Sequence, residues 1–229
     1  MSIFEAIKAK EWEKVIELAK GEQRNAQDAS WRTPLHVMIT HKCPANWIEA
    51  YLQLEPNLEI KDKLGETVLS KAIKFGNSEV VELLIQYGVQ LNHPKGIRYT
   101  PWYQARYDKK IADLLIETED AFRLTLTKQE QSLIDELLYE ESAEILMRKL
   151  EYLNSSELIH AYVMQFNWDD DLWPLEWLLH NRTVHLVTTM EMYDLLGVNE
   201  ILEDTAYRSE EADQLALKII DQLLGGKIR

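Results

Sequence analysis

Asp169, Asp170 and Asp171 stand in a row, and His180 follows nine residues after the last of them. Carboxylates beside an imidazole are the groups that hold a divalent cation or exchange protons in general acid–base catalysis. Three successive Asp side chains diverge and cannot all face one point, and no second histidine lies at His-x-x-x-His spacing. The favoured reading places the Asp run at the start of a helix, whose dipole stabilises carboxylates. Trp168, Trp173 and Trp177, crowded into the same block, then pack a core or form an interface. A hydrolase or metal-dependent enzyme built on Asn167 to His180 is the alternative. Cys43, the single cysteine, sits beside Pro44 with no nearby His or basic pair that would clearly activate it, and reads as a passive thiol. His160 reads as a packed or surface residue. Phosphate-cradling glycine loops and the Gly-x-Ser-x-Gly elbow are absent. The expectation is therefore a protein without a catalytic residue, metal or cofactor.

Composition narrows the partner. The 229 residues carry 25 Lys+Arg against 39 Asp+Glu, a net charge of −14. Such a surface repels phosphate backbones and anionic membranes, which argues against nucleic acid and membrane as ligands. The charge is segregated: residues 121–229 hold 21 acidic and 9 basic side chains, net −12, whereas residues 1–120 are nearly balanced at −2. An acidic half of this kind can steer and clamp a basic protein. No basic leader and no long uncharged apolar run occurs in the sequence, and with one cysteine the expected setting is soluble and cytoplasmic.

Few glycines and prolines, with Leu, Ile and Val at helical spacing, predict an all-α chain. The helices repeat. Thr33-Pro34-Leu35-His36 recurs as Thr67-Val68-Leu69-Ser70 and as Thr100-Pro101-Trp102-Tyr103, at intervals of 34 and 33 residues. Asp28 and Asp62 precede the Thr by five residues, and Val80-Val81-Glu82-Leu83-Leu84 marks a second helix that Gly88 can end. Each Thr can cap a helix with its hydroxyl.

These residues resemble the ankyrin-repeat family, most closely from Asp62 to Asn92. The resemblance implies four units over residues 1–120, the first and last being divergent caps, and a structural role for His36 in tying turns together. Trp31 departs from it, standing where the family has a turn glycine, and Lys42 and Lys109 replace inter-helix glycines. The resemblance also implies protein binding through turn tips and first helices. By register this selects Arg32, Lys63, Leu64, Glu66, Lys74, Phe75, Tyr99 and Tyr107, with the aromatic three as the strongest anchors.

Beyond Asp120 the repeat signature stops and amphipathic helices continue. Thr127 to Glu130 reads as a capping box, and Ser142 and Ser155 as further caps. The predicted inward faces are Leu133, Ile134, Leu137 and Leu138; Ile145, Leu146, Leu150 and Leu153; and Leu158, Ile159, Tyr162 and Val163. A last helix from Glu210 to Leu224 would carry Leu215, Leu217, Ile219, Ile220, Leu223 and Leu224, stopped by Gly225-Gly226. Residues Ser156 to Gly197 resemble a bacterial domain family of unknown function marked by Asn-Trp-Asp-Asp, which brings no chemistry. The fold expected is an ankyrin α-solenoid over 1–120 followed by a packed acidic helical domain over 121–229. The function expected is a non-catalytic interaction module. Resemblance to ankyrin-type immunity proteins makes it a neutraliser of a basic, nuclease-like toxin, with Asp169, Asp170 and Asp171 added to the binding set. A general ankyrin adaptor is a further alternative.

Overall fold

The computed structural model describes residues 1–199 and 210–225, and among them it contains helices and no strand. Its contacts divide the chain into two units, Met1–Ala121 and the part from Phe122 onward.

The first unit holds four helix pairs: α1 (Ile3–Ala9) with α2 (Trp12–Ala19), α3 (Pro34–Thr40) with α4 (Ala45–Leu52), α5 (Val68–Lys74) with α6 (Ser78–Gln86), and α7 (Pro101–Ala105) with α8 (Lys109–Leu114). First helices stack on first helices and second on second, α1 on α3 on α5 on α7 and α2 on α4 on α6 on α8. Helices of five to nine residues are too short to be stable alone, so each depends on its neighbours and, except in α2 and α4, on a side-chain cap. Thr33, Thr67 and Thr100 supply the caps, each side chain accepting the N–H three residues on. The faces they orient bury Leu35, Met38, Ile48, Leu69, Ala72, Leu84 and Trp102 almost completely.

His36 carries the coupling between adjacent pairs. Its Nδ1 accepts from the Thr33 N–H at 3.2 Å, so Nε2 bears the proton and donates to the Glu66 carbonyl, 3.1 Å away on the next turn. Burial pushes the imidazole pKa down, which keeps the ring in this neutral form. Gly88 ends α6 in the left-handed region at φ 78°. Cys43 is buried, and burial raises its thiol to about 12, leaving no thiolate near neutral pH.

The second unit repeats the stacking rule without the repeat's sequence signature. Its pairs are α9 (Lys128–Leu138) with α10 (Ala143–Leu150), α11 (Ser156–Gln165) with α12 (Trp173–Asn181), and α13 (Leu186–Leu195) with α14 (Glu210–Gly225). Again α9 packs on α11 and α11 on α13, while α10 packs on α12 and α12 on α14. Thr127 and Ser155 cap as expected, and His185 does the same for α13 by accepting the Val187 N–H. Ile134, Leu150, Tyr162, Leu178, Met192 and Ile219 form the core, with Trp168, Trp173 and Trp177 half-buried against it.

Two expected inward faces need correction. Ile145 is exposed, because α10 turns Leu146 and Leu150, four apart, to the core and leaves the preceding position about 100° away. In α14, Leu215 and Ile219 are buried while Leu217, two positions from Leu215 and so on the opposite side, is exposed, as is Leu224. Gly225 lies inside the last turn rather than after it, and Gly226 falls outside the described residues.

Thr127 forms a full capping box with Glu130, whose carboxylate also receives the Arg123 guanidinium at 2.6 Å. That hydrogen bond, with the Thr127 N–H, lowers the Glu130 pKa to about 2. A depressed carboxylate contributes stability above its unfolded value near 4.3 and loses it as pH falls toward the folded value. Glu130→Gln is therefore expected to narrow the difference in urea stability between pH 7 and pH 3, and an unchanged difference would contradict this.

Candidate protein-binding surface

The chemistry-bearing positions of the first unit sit on the fingers before each first helix and at those helices' C-terminal ends. Asp28 builds one finger. Its Oδ1 accepts the N–H groups of Ser30 and Arg32 at 2.8 and 3.0 Å, and the Asp28 N–H donates to the Arg32 carbonyl. Asp62 builds the next in the same way, with its Oδ1 accepting from Leu64 and Glu66 at 2.9 and 3.0 Å. The fingers are joined: the Lys63 N–H donates to the Ser30 carbonyl at 3.0 Å.

Beneath the second finger, Lys71 is nearly buried between two carboxylates, 2.8 Å from Asp62 and hydrogen-bonded to Glu66. Lys74 reaches the other Glu66 oxygen at 3.1 Å. Burial alone would raise the Asp62 carboxyl, but the Lys71 ammonium and two backbone N–H groups hold it below the ordinary value. Arg32 gives two nitrogens to Asp28 Oδ2 at 2.7 and 2.9 Å. Of the sequence-selected residues, Arg32, Glu66 and Lys74 are thus engaged in ion pairs of the fingers themselves.

Lys74 is nonetheless exposed, and the others face outward as well. Leu64 is 75% exposed, Tyr107 69% and Tyr99 56%, and Phe75 is exposed at the end of α5. The third finger lacks the Asp; there the His93 ring accepts the Lys95 N–H and stacks on Tyr99 with centroids 5.4 Å apart. Arg106 lies between Tyr103 and Tyr107, its guanidinium carbon 4.0 and 4.1 Å from the two rings, and donates to the Tyr107 hydroxyl at 2.7 Å. These aromatic side chains are held in place before any partner arrives, which lowers the ordering cost of binding.

Trp31 was absent from the residues selected by register and shares their finger-tip position. It is 57% exposed at a finger tip, with the Lys63 ammonium 5.9 Å from its ring. Its φ of 61° is left-handed, the conformation that Gly65 supplies at the equivalent place in the next finger. A non-glycine residue there costs roughly 1–2 kcal/mol, and an exposed indole returns little of it through burial. The signal was present in the sequence as a bulky residue at a glycine position.

In the second unit, Asp169, Asp170 and Asp171 are exposed on the loop between α11 and α12. Asn167 organises them, its Oδ1 accepting the Asp169 N–H and its carbonyl the Asp170 N–H, while Asp171 Oδ1 accepts from Trp173. Of the three, Asp171 reaches the start of α12 in that bond to its first residue, while the N-cap position is Leu172, which makes no side-chain cap. His180 lies in the last turn of α12, about 10 Å of helix away from the Asp loop. His160 is buried, with Nδ1 at 3.0 Å from the Thr188 hydroxyl. Among the described residues no group of three His, Cys, Asp or Glu is placed to hold a metal ion, and no helix is long and apolar enough to cross a membrane.

The model for ankyrin repeats in three copies matches residues 3–95 and again residues 35–128, more than half of the chain. The chain belongs to the ankyrin-repeat family. Ankyrin repeats are protein-interaction modules. The chain is also similar to a chain of the solved complex of the predatory endopeptidase Bd0816 from Bdellovibrio bacteriovorus with immunity protein Bd3460. That similarity is 25% identity over 65% of this chain and 80% of the other, with a TM-score of 0.43. No curated protein matches.

Two substitutions separate structure from function on this surface. Lys71→Met leaves Asp62 and Glu66 without their shared cation and is expected to cost roughly 3 kcal/mol in urea unfolding. Trp31→Gly relieves the left-handed strain and is expected to leave stability unchanged or raise it by up to about 1 kcal/mol. A clear loss in Trp31→Gly would mean that the indole supports the fold.

Proposed function

We propose that this ankyrin chain binds one protein partner along its finger row, with Trp31, Leu64, Phe75, Tyr99 and Tyr107 as anchors and Lys63 beside them. The observation that carries the reading is Trp31, an exposed indole kept in a strained conformation at the cost of stability. Lys10, Lys42, Glu55 and Asp120 share the left-handed region, so it is the exposed indole at a finger tip, more than the strain, that favours a function using the side chain. Aromatic anchors of this kind dominate interface energetics, while Arg32, Glu66 and Lys74 hold the fingers that present them.

The partner in this reading is a basic, nuclease-like toxin, and the chain is its cytoplasmic immunity protein. The charge distribution supports it: the half with net −12 would accelerate encounter with a cationic groove and oppose anionic competitors. Neutralisation then needs occupation of the toxin's phosphate-binding surface and no chemistry by the immunity chain. Asp169, Asp170 and Asp171 contribute as exposed charge on the loop before α12.

The test is capture by the tagged protein at low and high salt, with mass spectrometry of the retained material and affinity measured on the recovered pair. One stoichiometric basic partner is expected. Leu64→Ala with Tyr99→Ala should weaken it tenfold or more, and Trp31→Gly should weaken it without loss of fold. Asn at positions 169, 170 and 171 should flatten the salt dependence. A spread of weak partners indifferent to these changes would favour the adaptor reading.

A further inference from the structure

The second unit contains a groove of about 590 Å³ between the α9–α10 turn and the loop that carries the Asp run. Its lining includes the apolar Leu138, Leu146 and Phe166, taken as its floor because they are buried or half-buried, together with the aromatic Tyr139 and Trp173. Glu140, Glu141, Asp170 and Asp171 line its rim, and none of the lining residues is a lysine or arginine. Lys149 is the cation nearest to this rim in the ion-pair network, and it is committed to Glu140 at 3.0 Å and to Glu136 at 3.8 Å. Glu141, Asp170 and Asp171 have no ion pair among the described residues, so the rim carries uncompensated negative charge around an apolar floor.

The groove's walls are fixed before binding. Asn167 holds the Asp169 and Asp170 N–H groups, Asp171 accepts from Trp173, and the Trp168 indole donates to the Val163 carbonyl at 3.3 Å. Phe166 is set between Tyr162 and Trp168, at centroid distances of 5.7 and 6.2 Å. Tyr139 is 84% exposed at the groove's edge, a large ring for which the described residues supply no cover.

An apolar floor under an acidic rim matches one kind of side chain: an apolar stem ending in a cation. Lysine and arginine differ here. A guanidinium is planar, is weakly hydrated, stacks on aromatic faces and takes two carboxylate oxygens at once, whereas an ammonium is a strongly hydrated point charge. Aromatic sides together with Asp170, Asp171 and Glu141 therefore favour arginine.

We infer that this groove seats an arginine side chain from a basic segment of the protein partner, with its stem on Leu138 and Phe166 and its guanidinium at Asp170, Asp171 and Glu141. The inference rests on the proposed basic partner and adds to it a second, separate point of contact, one that selects arginine rather than positive charge in general. It makes Asp170 and Asp171 part of a shaped site, not only a source of long-range field.

The probe is the blocked tripeptide acetyl-Leu-Arg-Leu-amide, titrated into the ¹⁵N-labelled full chain and followed by amide shifts. Saturable shifts at Leu138, Tyr139, Phe166 and Asp170 are expected, with little response to the Lys or Gln analogue. Asp170→Asn with Asp171→Asn should weaken the peptide at least fivefold. Ala143→Tyr, which fills the groove from an exposed position at the start of α10 and leaves every carboxylate in place, should abolish the shifts. Shifts scattered over the acidic surface, equal response to the Lys peptide, or indifference to Ala143→Tyr would overturn the proposal. The partner reading is separable: a captured partner that depends on Leu64 and Tyr99 but ignores Ala143→Tyr removes the groove and keeps that reading. A seated peptide with no captured partner supports the groove and removes the reading.

Discussion

Each first helix of the described chain begins at a side chain that accepts a backbone N–H from its own first turn: Ser2, Thr33, Thr67, Thr100, Thr127, Ser155 and His185. Helices this short do not persist unaided in water. The cap fixes where each starts, and the start decides which face meets the neighbouring helix. In the first unit, His36 adds a bond from one helix pair to the backbone of the next finger, so that local capping and inter-repeat stacking reinforce each other. The finger row inherits its geometry from these bonds, because the fingers are short segments held between them.

The fingers show two solutions to one backbone problem. Gly65 takes the left-handed position without steric cost, and Trp31 takes it against the preference of its side chain. Around both, the charged residues turn inward: Asp28 with Arg32, and Asp62 with Lys71 and Glu66. Several polar atoms are consumed in holding the tips, and Trp31, Leu64 and Tyr99 project from them together with the exposed Lys63. A surface built this way separates the residues that hold the tips from those that project, so substitutions in the two sets are expected to act differently on stability.

The second unit reaches the same stacking order by other means. Its caps are separated by 28 and 30 residues, Thr127 to Ser155 to His185, shorter than the 33 and 34 of the repeat. The length lost outside the pairs reappears in part inside one of them, as the Asn167 to Leu172 loop between α11 and α12. Negative charge collects on that loop and on the α9–α10 turn, which together line the groove. Carboxylates there repel one another and are tolerated because they are exposed to solvent.

By itself, the sequence determined the class of the fold, the period of the first half and most helix starts. Those features depend on contacts within a few residues: a Thr hydroxyl meeting an N–H three positions on, or a Leu recurring on one helical face. It also carried the anomaly at Trp31, since a bulky residue in a glycine position is visible without coordinates. Tertiary structure decided the rest. Hydrophobic spacing marked Ile145 and Leu217 as apolar but could not say that their neighbours Leu146 and Leu215 would take the core side, because that choice belongs to the opposing helix. Register selected Arg32 and Glu66 as outward, while their ion-pair partners Asp28 and Lys71 became evident only when the finger closed. The groove joins residues 137–146 to residues 162–174, whose meeting depends on α9 packing against α11 and leaves no local trace in either segment.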